Sequence, residues 1–162
     1  MSSRGPLLVR NRPLALVGFM GSGKTLVGAD VAVRTKAPFH DLDLMVEMEA
    51  GMTIPEIFAT HSEPAFRALE TRLLPRALQA GAVVALGGGT LIDDGNWRLV
   101  DGTAYTVYLE VPFETMWQRI QARPGRPLAS GRSRNEVLSL FERRRPRIES
   151  TAIDRPSRSR TR

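Results

Sequence analysis

The sequence predicts a three-layer α/β fold, in which helices cover both faces of a central parallel sheet of about five strands. Short, continuous apolar runs of strand length alternate along the chain with longer segments whose apolar residues recur at helical spacing. This alternation is typical of right-handed β-α-β units, which gather ligands at the carboxyl ends of the strands. A glycine-rich segment follows the first apolar run, so the first candidate site lies there.

Four apolar runs are the candidate strands, and four longer segments are the candidate helices. The clearest helix contains Phe66, Leu69 and Leu73, which recur at helical spacing. Pro112 suits the first turn of another helix. The strand candidates span residues 13–18, 39–42, 82–86 and 104–109, and the helix candidates span residues 24–35, 63–80, 112–122 and 134–150.

The chain is long enough for one domain with a real core, which we expect over residues 1–152. Residues 123–134 begin with Arg-Pro-Gly, which ends the preceding helix, and they contain few large apolar side chains. We therefore expect a mobile lid there. Residues 153–162 are basic, with Ile153 as their one sizeable apolar side chain, and we expect a disordered tail.

Composition and charge narrow the classes of function. No apolar run approaches the ~20 residues that span a bilayer, and the chain has no cysteine for disulfides or thiolate metal sites, so we expect a cytoplasmic protein that does not enter membranes. The chain has a net charge of +6, and its positive charge is concentrated in residues 117–162. This segment contains thirteen Lys and Arg but only four Asp and Glu. Because aromatic residues are not interleaved with these arginines, the pattern favours an anionic small molecule over nucleic acid.

The strongest motif is GFMGSGKT at residues 18–25, which satisfies the pattern G-x-x-x-x-G-K-[ST] between a predicted strand and a predicted helix. Glycines let backbone N–H groups turn toward phosphates at the positive end of a helix. Lys24, one of two lysines in a chain with 21 arginines, places a charge on the β- and γ-phosphates, and Thr25 can ligate Mg²⁺. We expect this loop to bind ATP through Gly21, Ser22, Gly23, Lys24 and Thr25.

Two acidic residues close the second candidate strand. Alternation places Asp41 and Asp43 on one face at the carboxyl end of the strand. There, one carboxylate could hold the water shell of a metal ion and the other could accept a hydroxyl proton. The alternative is that both aspartates only cap the next helix. We expect His40 to be structural.

Two further patterns are candidates for the acceptor side. Arg67 and Glu70 are neighbours on the surface of the long helix, where an exposed ion pair is the alternative. Gly87, Gly88 and Gly89 directly follow the third strand, and three glycines let backbone amides approach a ligand closely. A plain loop is the alternative for this segment.

Arginines near the end of the chain are the remaining candidates. Arg126 lies in the predicted lid, where it could fold over the transferring phosphate. Arg143, Arg144 and Arg145 follow on the last helix, where one of them could face the site. For each single arginine the alternative is a solvated surface position.

Taken in this order, the motifs resemble those of shikimate kinases: GKT in the glycine loop, DLD at 41–43, FRxxE at 66–70, GGG at 87–89 and RPL at 126–128. The resemblance covers roughly residues 13–152. It implies the P-loop kinase fold with five parallel strands, a lid, and a helical pocket for shikimate at about residues 43–80. It also implies a monomer that phosphorylates the 3-hydroxyl of shikimate with ATP, in the biosynthesis of chorismate and the aromatic amino acids.

The resemblance implies roles for single residues on both sides of the reaction. On the acceptor side, Asp43 contacts the shikimate hydroxyls and activates the attacking one, Arg67 and Arg144 bind the shikimate carboxylate, and Gly87–Gly89 line the pocket. On the ATP side, the remaining roles fall to five residues: Lys24 and Arg126 act on the phosphates, Arg119 packs against adenine, and Thr25 with Asp41 holds Mg²⁺.

The end of the chain departs from the family. Shikimate kinases continue from the last helix into a fifth strand, an adenine-contacting loop and a closing helix, whereas here Ala152, Ile153 and Asp154 are followed by an arginine-serine tail. We expect the last strand to be degenerate or missing, with marginal folding, weak ATP binding and poor discrimination between bases.

Two other interpretations compete with a shikimate kinase. One is a different small-molecule P-loop kinase, such as a gluconate or nucleoside-monophosphate kinase, against which the DLD, FRxxE and GGG motifs argue. The other is a C-terminally truncated nucleotide-binding protein with weak or no activity, which the short end favours and the intact motifs oppose. The absence of an N-K-x-D motif argues against a GTPase.

Overall fold

The computed structural model of the chain describes residues 12–123 and 131–151. These ranges form four strands, seven α-helices and one turn of 3-10 helix at Thr90–Ile92. In chain order the elements are β1 (Leu14–Val17), α1 (Lys24–Thr35), β2 (Phe39–Asp41), α2 (Leu42–Ala50), α3 (Ile54–Thr60), α4 (Glu63–Ala77), β3 (Val83–Ala85), α5 (Asp94–Thr103), β4 (Tyr105–Tyr108), α6 (Phe113–Ala122) and α7 (Arg134–Thr151).

The four strands form one parallel sheet in the order β2-β3-β1-β4. In β1, Leu16 lies opposite Ala85 of β3 and Val107 of β4, so the glycine loop leaves the middle of the sheet. The fold class is confirmed, although the described residues contain four strands where about five were expected. The predicted remnant of a fifth strand at 152–154 lies outside them.

Two apolar cores hold the layers together. The larger core packs the buried side chains of the sheet against α2, α4 and α5, through residues such as Val46, Leu73 and Val100. The smaller core joins the glycine loop to α6 and α7, where the ring of Phe19 meets that of Phe141 at 5.4 Å in an edge-on arrangement. Burying these apolar surfaces drives the helices onto the sheet. The glycine loop is thereby fixed from two sides.

Three helices were not predicted individually, and caps rather than periodicity mark where they begin. Asp41 accepts a hydrogen bond from Leu44 at the start of α2, and Asp93 accepts one from Asn96 at the start of α5. Thr53 and Glu56 form a capping box at the start of α3. Because each of these helices is ten residues or shorter, few apolar side chains reveal their period.

The strand-end prediction for the DLD motif was wrong in one respect. The strand β2 ends at Asp41, and Leu42 begins α2 with its side chain fully buried. Asp43 therefore projects from the first turn of a helix and does not share a strand face with Asp41.

Candidate active site

A cavity of about 780 Å³ opens where β1, β2 and β3 end, and we call it the central cavity. Its lining contains every predicted site residue that the structure describes. These are Gly21, Ser22, Gly23, Lys24, Thr25, Asp41, Asp43, Arg67, Gly87, Gly88, Gly89, Arg119 and Arg144. The predicted lid residue Arg126 lies outside the described residues.

The glycine loop, residues 18–25, turns sharply before α1. Gly21 and Gly23 have φ values of +78° and +93°, which residues with a side chain rarely adopt. A Cβ on Gly21 would also lie 3.1 Å from the carbonyl oxygen of Met116. Gly23 is the N-cap of α1 and offers no side-chain hydrogen bond to the first turn of that helix. Backbone N–H groups at this helix end are therefore suited to an anion such as a phosphate.

Lys24 is held in the loop by hydrogen bonds to the loop's own backbone. Its side chain is 9% exposed, and Nζ donates hydrogen bonds to the carbonyl oxygens of Gly18 at 2.7 Å and Phe19 at 3.0 Å. Ser22 Oγ lies at 3.4 Å. The ammonium charge is thus positioned by the backbone of its own loop.

Thr25 and Asp41, the two predicted magnesium residues, contact each other. Thr25 Oγ1 donates to Asp41 Oδ2 at 2.6 Å, while Asp41 Oδ1 accepts from the backbone N–H of Leu44 at 3.2 Å. A hydroxyl and a carboxylate fit the preference of Mg²⁺ for oxygen ligands. Within residues 12–123 and 131–151, no group of three or more acidic or histidine side chains could bind a metal ion. A magnesium ion here would therefore share its coordination with phosphate oxygens and water.

A second part of the lining consists of residues that we call the acceptor wall: Asp43, Arg67, Glu70, Gly87–Gly89 and Arg144. Asp43 and Glu70 converge on Gly87, where an added Cβ would lie 2.9 Å from Asp43 Oδ1 and 2.6 Å from Glu70 Oε1. A Cβ on Gly89 would lie 2.6 Å from Arg67 Nη2. These two glycines therefore leave the space that the charged side chains occupy.

Arg67 and Glu70 do not form the exposed ion pair that was the alternative prediction. Glu70 is fully buried, and its Oε2 accepts from Arg67 Nη1 at 2.7 Å. The half-exposed Glu63 lies farther away, with Oε1 at 3.4 Å from Arg67 Nη2. The Arg67 guanidinium also lies over the ring of Phe66, 5.0 Å from its centroid. Arg67 is thus held from within the protein.

Arg144 is the arginine of the acceptor wall whose pKa is clearly shifted by its surroundings. It is 7% exposed, whereas its neighbours Arg143 and Arg145 are exposed. Among the described residues, its Nη1 atom has no hydrogen-bond partner. Burial, with a smaller contribution from the charge of Arg67, lowers the pKa of Arg144 to about 10. The guanidinium is still charged at neutral pH, so an anionic ligand would relieve the cost of burying it.

Arg119 connects α6 to the glycine loop. Its Nη1 donates to the carbonyl oxygen of Gly21 at 3.0 Å from an exposed position. His40 does not line the central cavity, and its Nε2 is buried without a hydrogen-bond partner among the described residues.

Sequence reasoning missed the polar network behind the acceptor wall. Thr90 and Asn96 are buried behind Glu70 and are hydrogen-bonded to each other. A threonine after three glycines and an asparagine six residues later carry no sequence pattern that would have linked them to Arg67. Only the fold brings them together.

Together, the fold and the site define a P-loop kinase that acts on a small anionic molecule. The sequence model of the family described as "Shikimate kinase" matches residues 20–161. The shikimate kinase of Rhizobium leguminosarum bv. trifolii is 38% identical over 139 residues, which is 85% of this chain and 71% of that protein. The Enterococcus faecalis enzyme is 37% identical, with 90% of each chain covered.

A solved structure agrees with these sequence matches. The shikimate kinase of Acinetobacter baumannii, in complex with shikimate, superposes with a TM-score of 0.85 at 32% identity, covering 90% of this chain and 83% of that one. The chain belongs to the shikimate kinase family. It is therefore an ATP-dependent kinase of the shikimate pathway, and the competing prediction of another small-molecule kinase is not supported. No helix in the described ranges is long and apolar enough to cross a membrane.

Proposed function

We propose that the chain transfers the γ-phosphate of ATP to the 3-hydroxyl of shikimate and releases ADP and shikimate 3-phosphate. One observation carries this proposal. The central cavity is lined by both the phosphate-binding loop and the buried Arg144, whose Nη1 has no hydrogen-bond partner among the described residues. A kinase for a carboxylated acceptor needs both features in one cavity, because they orient the acceptor hydroxyl toward the donor phosphate.

On the donor side, the glycine loop binds the phosphates of ATP, and Lys24 moves from its own carbonyls to the β- and γ-phosphate oxygens. Thr25 and Asp41 would hold a magnesium ion, which would supply positive charge to the phosphates when bound. Arg119 packs against adenine at the outer end of the loop. We expect Arg126, which lies outside the described residues, to act on the phosphates as part of a lid at residues 123–134, as the family resemblance implies.

On the acceptor side, Arg67 and Arg144 bind the carboxylate of shikimate. The planar guanidinium group of an arginine can donate two parallel hydrogen bonds to a carboxylate, which fixes the orientation of the ring. The backbone of Gly87–Gly89 and the helices within residues 43–80 complete the pocket.

Asp43 accepts the proton of the attacking hydroxyl. The hydroxyl oxygen forms a bond to the γ-phosphorus while the bond from that phosphorus to the bridging β-γ oxygen breaks, and the electron pair leaves with ADP. The proton on Asp43 then returns to water. We expect a monomer in the cytoplasm that uses neither nucleic acid nor membrane as a partner.

A coupled assay of ADP release with and without shikimate tests the proposal, with phosphorus NMR to identify the product. We expect ADP release that depends on shikimate and matches shikimate 3-phosphate one to one. ATP binding without such turnover would favour the alternative of a truncated, inactive nucleotide-binding protein. Turnover with gluconate or a nucleoside monophosphate in place of shikimate would overturn the assignment of the acceptor.

A further inference from the structure

Glu70 lies at the centre of a buried polar network that joins three elements. Both of its carboxylate oxygens accept hydrogen bonds, Oε2 from Arg67 Nη1 at 2.7 Å and Oε1 from the hydroxyl of Thr90 at 2.5 Å. The backbone carbonyl of Thr90 accepts in turn from Asn96 Nδ2 at 3.1 Å. Thr90 is fully buried and Asn96 is 3% exposed. We call these four residues the Glu70 network.

The network is fixed at the end that lies away from the central cavity. Asn96 stands in the first turn of α5, where its backbone N–H donates to the N-cap Asp93 at 2.8 Å. Thr90 begins the 3-10 turn directly after Gly89. Neither Thr90 nor Asn96 lines the central cavity, so neither is placed to touch an acceptor.

Arg67 needs this support because two influences draw it away from a fixed position. Its charge and that of Arg144 repel each other, an effect that contributes to the lowered pKa of Arg144. Glu63 offers a competing carboxylate at 3.4 Å on the solvent side. A buried carboxylate that is itself held rigidly keeps the guanidinium on the cavity side. Without a donor at Oε1, Glu70 would keep an unsatisfied lone pair and more freedom to turn.

We propose that Thr90 is a positioning residue for acceptor binding: its hydroxyl proton holds Oε1 of Glu70, so that Oε2 keeps Arg67 directed at the acceptor. Asn96 holds the turn that carries Thr90. The inference rests on the proposed function, since it assigns Arg67 to the shikimate carboxylate. It concerns the affinity for shikimate rather than the chemical step.

The test compares Thr90→Val, which removes the hydroxyl with little change of shape, with Thr90→Ser, which keeps it. We expect Thr90→Val to raise the Kd and KM for shikimate about tenfold, as the loss of one hydrogen bond to a charged group implies. The KM for ATP should stay unchanged, and kcat at saturating shikimate should change less than twofold. Thr90→Ser should restore the wild-type KM.

A double-mutant cycle separates positioning from general damage. In an Arg67→Ala background, Thr90→Val should change the Kd for shikimate less than twofold, because the group it positions is gone. Thr106→Val is the matched control, since the buried hydroxyl of Thr106 in β4 donates to the carbonyl of Thr151 at the end of α7, and neither residue lines the cavity. It should lower the Tm and leave the KM for shikimate unchanged. If Thr90→Val does not fold, Thr90→Ala carries the same expectation.

The outcomes distinguish this inference from the function on which it rests. A wild-type chain that phosphorylates shikimate, with a Thr90→Val variant of unchanged affinity, would overturn the role of Thr90 alone. Equal effects of Thr90→Val with and without Arg67 would do the same. A wild-type chain with no shikimate-dependent turnover would overturn the proposed function and this role with it.

Discussion

The glycine loop and the acceptor wall solve the same problem, holding an anion, in different ways. The glycine loop is eight consecutive residues, and the charge of Lys24 is bonded to the carbonyls of its own loop. The acceptor wall is gathered from α2, α4, α7 and the loop after β3. Its Arg144 is buried with one nitrogen that finds no partner within the described residues. The ammonium group of Lys24 thus has its hydrogen-bond partners within the loop, whereas the guanidinium of Arg144 lacks one among the described residues.

This difference predicts different consequences for stability. Removing a satisfied charge from the loop should affect mainly activity. Removing a buried, incompletely paired charge from the wall should harm binding and stabilise the free protein, because the group costs free energy until an anion binds. We therefore expect variants of the glycine loop to lose activity at nearly constant stability, and variants of Arg144 to lose acceptor binding while stability rises.

The largest effect is expected at the glycine loop. Lys24→Ala removes the charge that stabilises the transferring phosphoryl group, and we expect kcat to fall on the order of 10³-fold or more. The Tm should change little, because α1 keeps its start. Steady-state kinetics and a thermal melt measure both. Lys36→Asn is the control: it removes the other lysine, which is exposed, and asparagine tolerates the left-handed φ of +55° found there. Near-normal turnover of Lys24→Ala would break the assignment of the loop.

The acceptor wall gives the next largest effect on activity, and here we expect stability to rise as well. Arg144→Met should weaken shikimate binding by about a hundredfold, since a buried charged contact is lost. The free energy of unfolding of the free protein should rise by about 1–3 kcal/mol, because a buried charge with an incomplete set of partners is replaced by an apolar chain of similar length. Calorimetric titration and urea unfolding test the two effects.

Arg143→Met provides the matched control for Arg144, since Arg143 is exposed on the same helix. It should change neither shikimate affinity nor stability by a measurable amount. A variant of Arg144 that lost stability would mean that the guanidinium is well satisfied in the free protein. The contrast between the two regions would then be wrong.

Arg67→Lys should weaken shikimate binding about tenfold to a hundredfold while the charge is retained. A carboxylate held by a planar, two-pronged donor loses its paired geometry when an ammonium point charge replaces it, and hydrogen bonds to charged groups contribute roughly 1.5–3 kcal/mol. Titration of shikimate against both proteins measures the effect. Arg72→Lys, which changes an exposed pair with Glu49 at 2.8 Å, should have none. Equal affinities would mean that Arg67 only neutralises Glu70.

The two regions also differ in how far the sequence could predict them. The glycine loop was predicted because its function needs consecutive residues, and the pattern from Gly18 to Thr25 is specific. Arg67 and Arg144 were assigned through a family resemblance, since spacing alone left a surface ion pair and a solvated arginine as alternatives. Burial decides between those alternatives, and burial depends on packing across the whole fold. Thr90 escaped prediction for the same reason, because its partner is twenty residues away on another element.

The smallest effect expected for the acceptor wall comes from adding one methyl group. Gly89→Ala would place its Cβ 2.6 Å from Arg67 Nη2, so the guanidinium must shift by a few tenths of an ångström or more. We expect the KM for shikimate to rise about fivefold to tenfold, corresponding to about 1–1.4 kcal/mol, with the KM for ATP unchanged. Gly102→Ala in α5, where an added Cβ meets nothing within 4 Å, is the control and should leave both KM values as they are. The same substitution at Gly23, which has a φ of +93°, should instead raise the KM for ATP. If Gly89→Ala and Gly23→Ala shifted the same KM, the donor and acceptor sides of the cavity would not be the separate units described above.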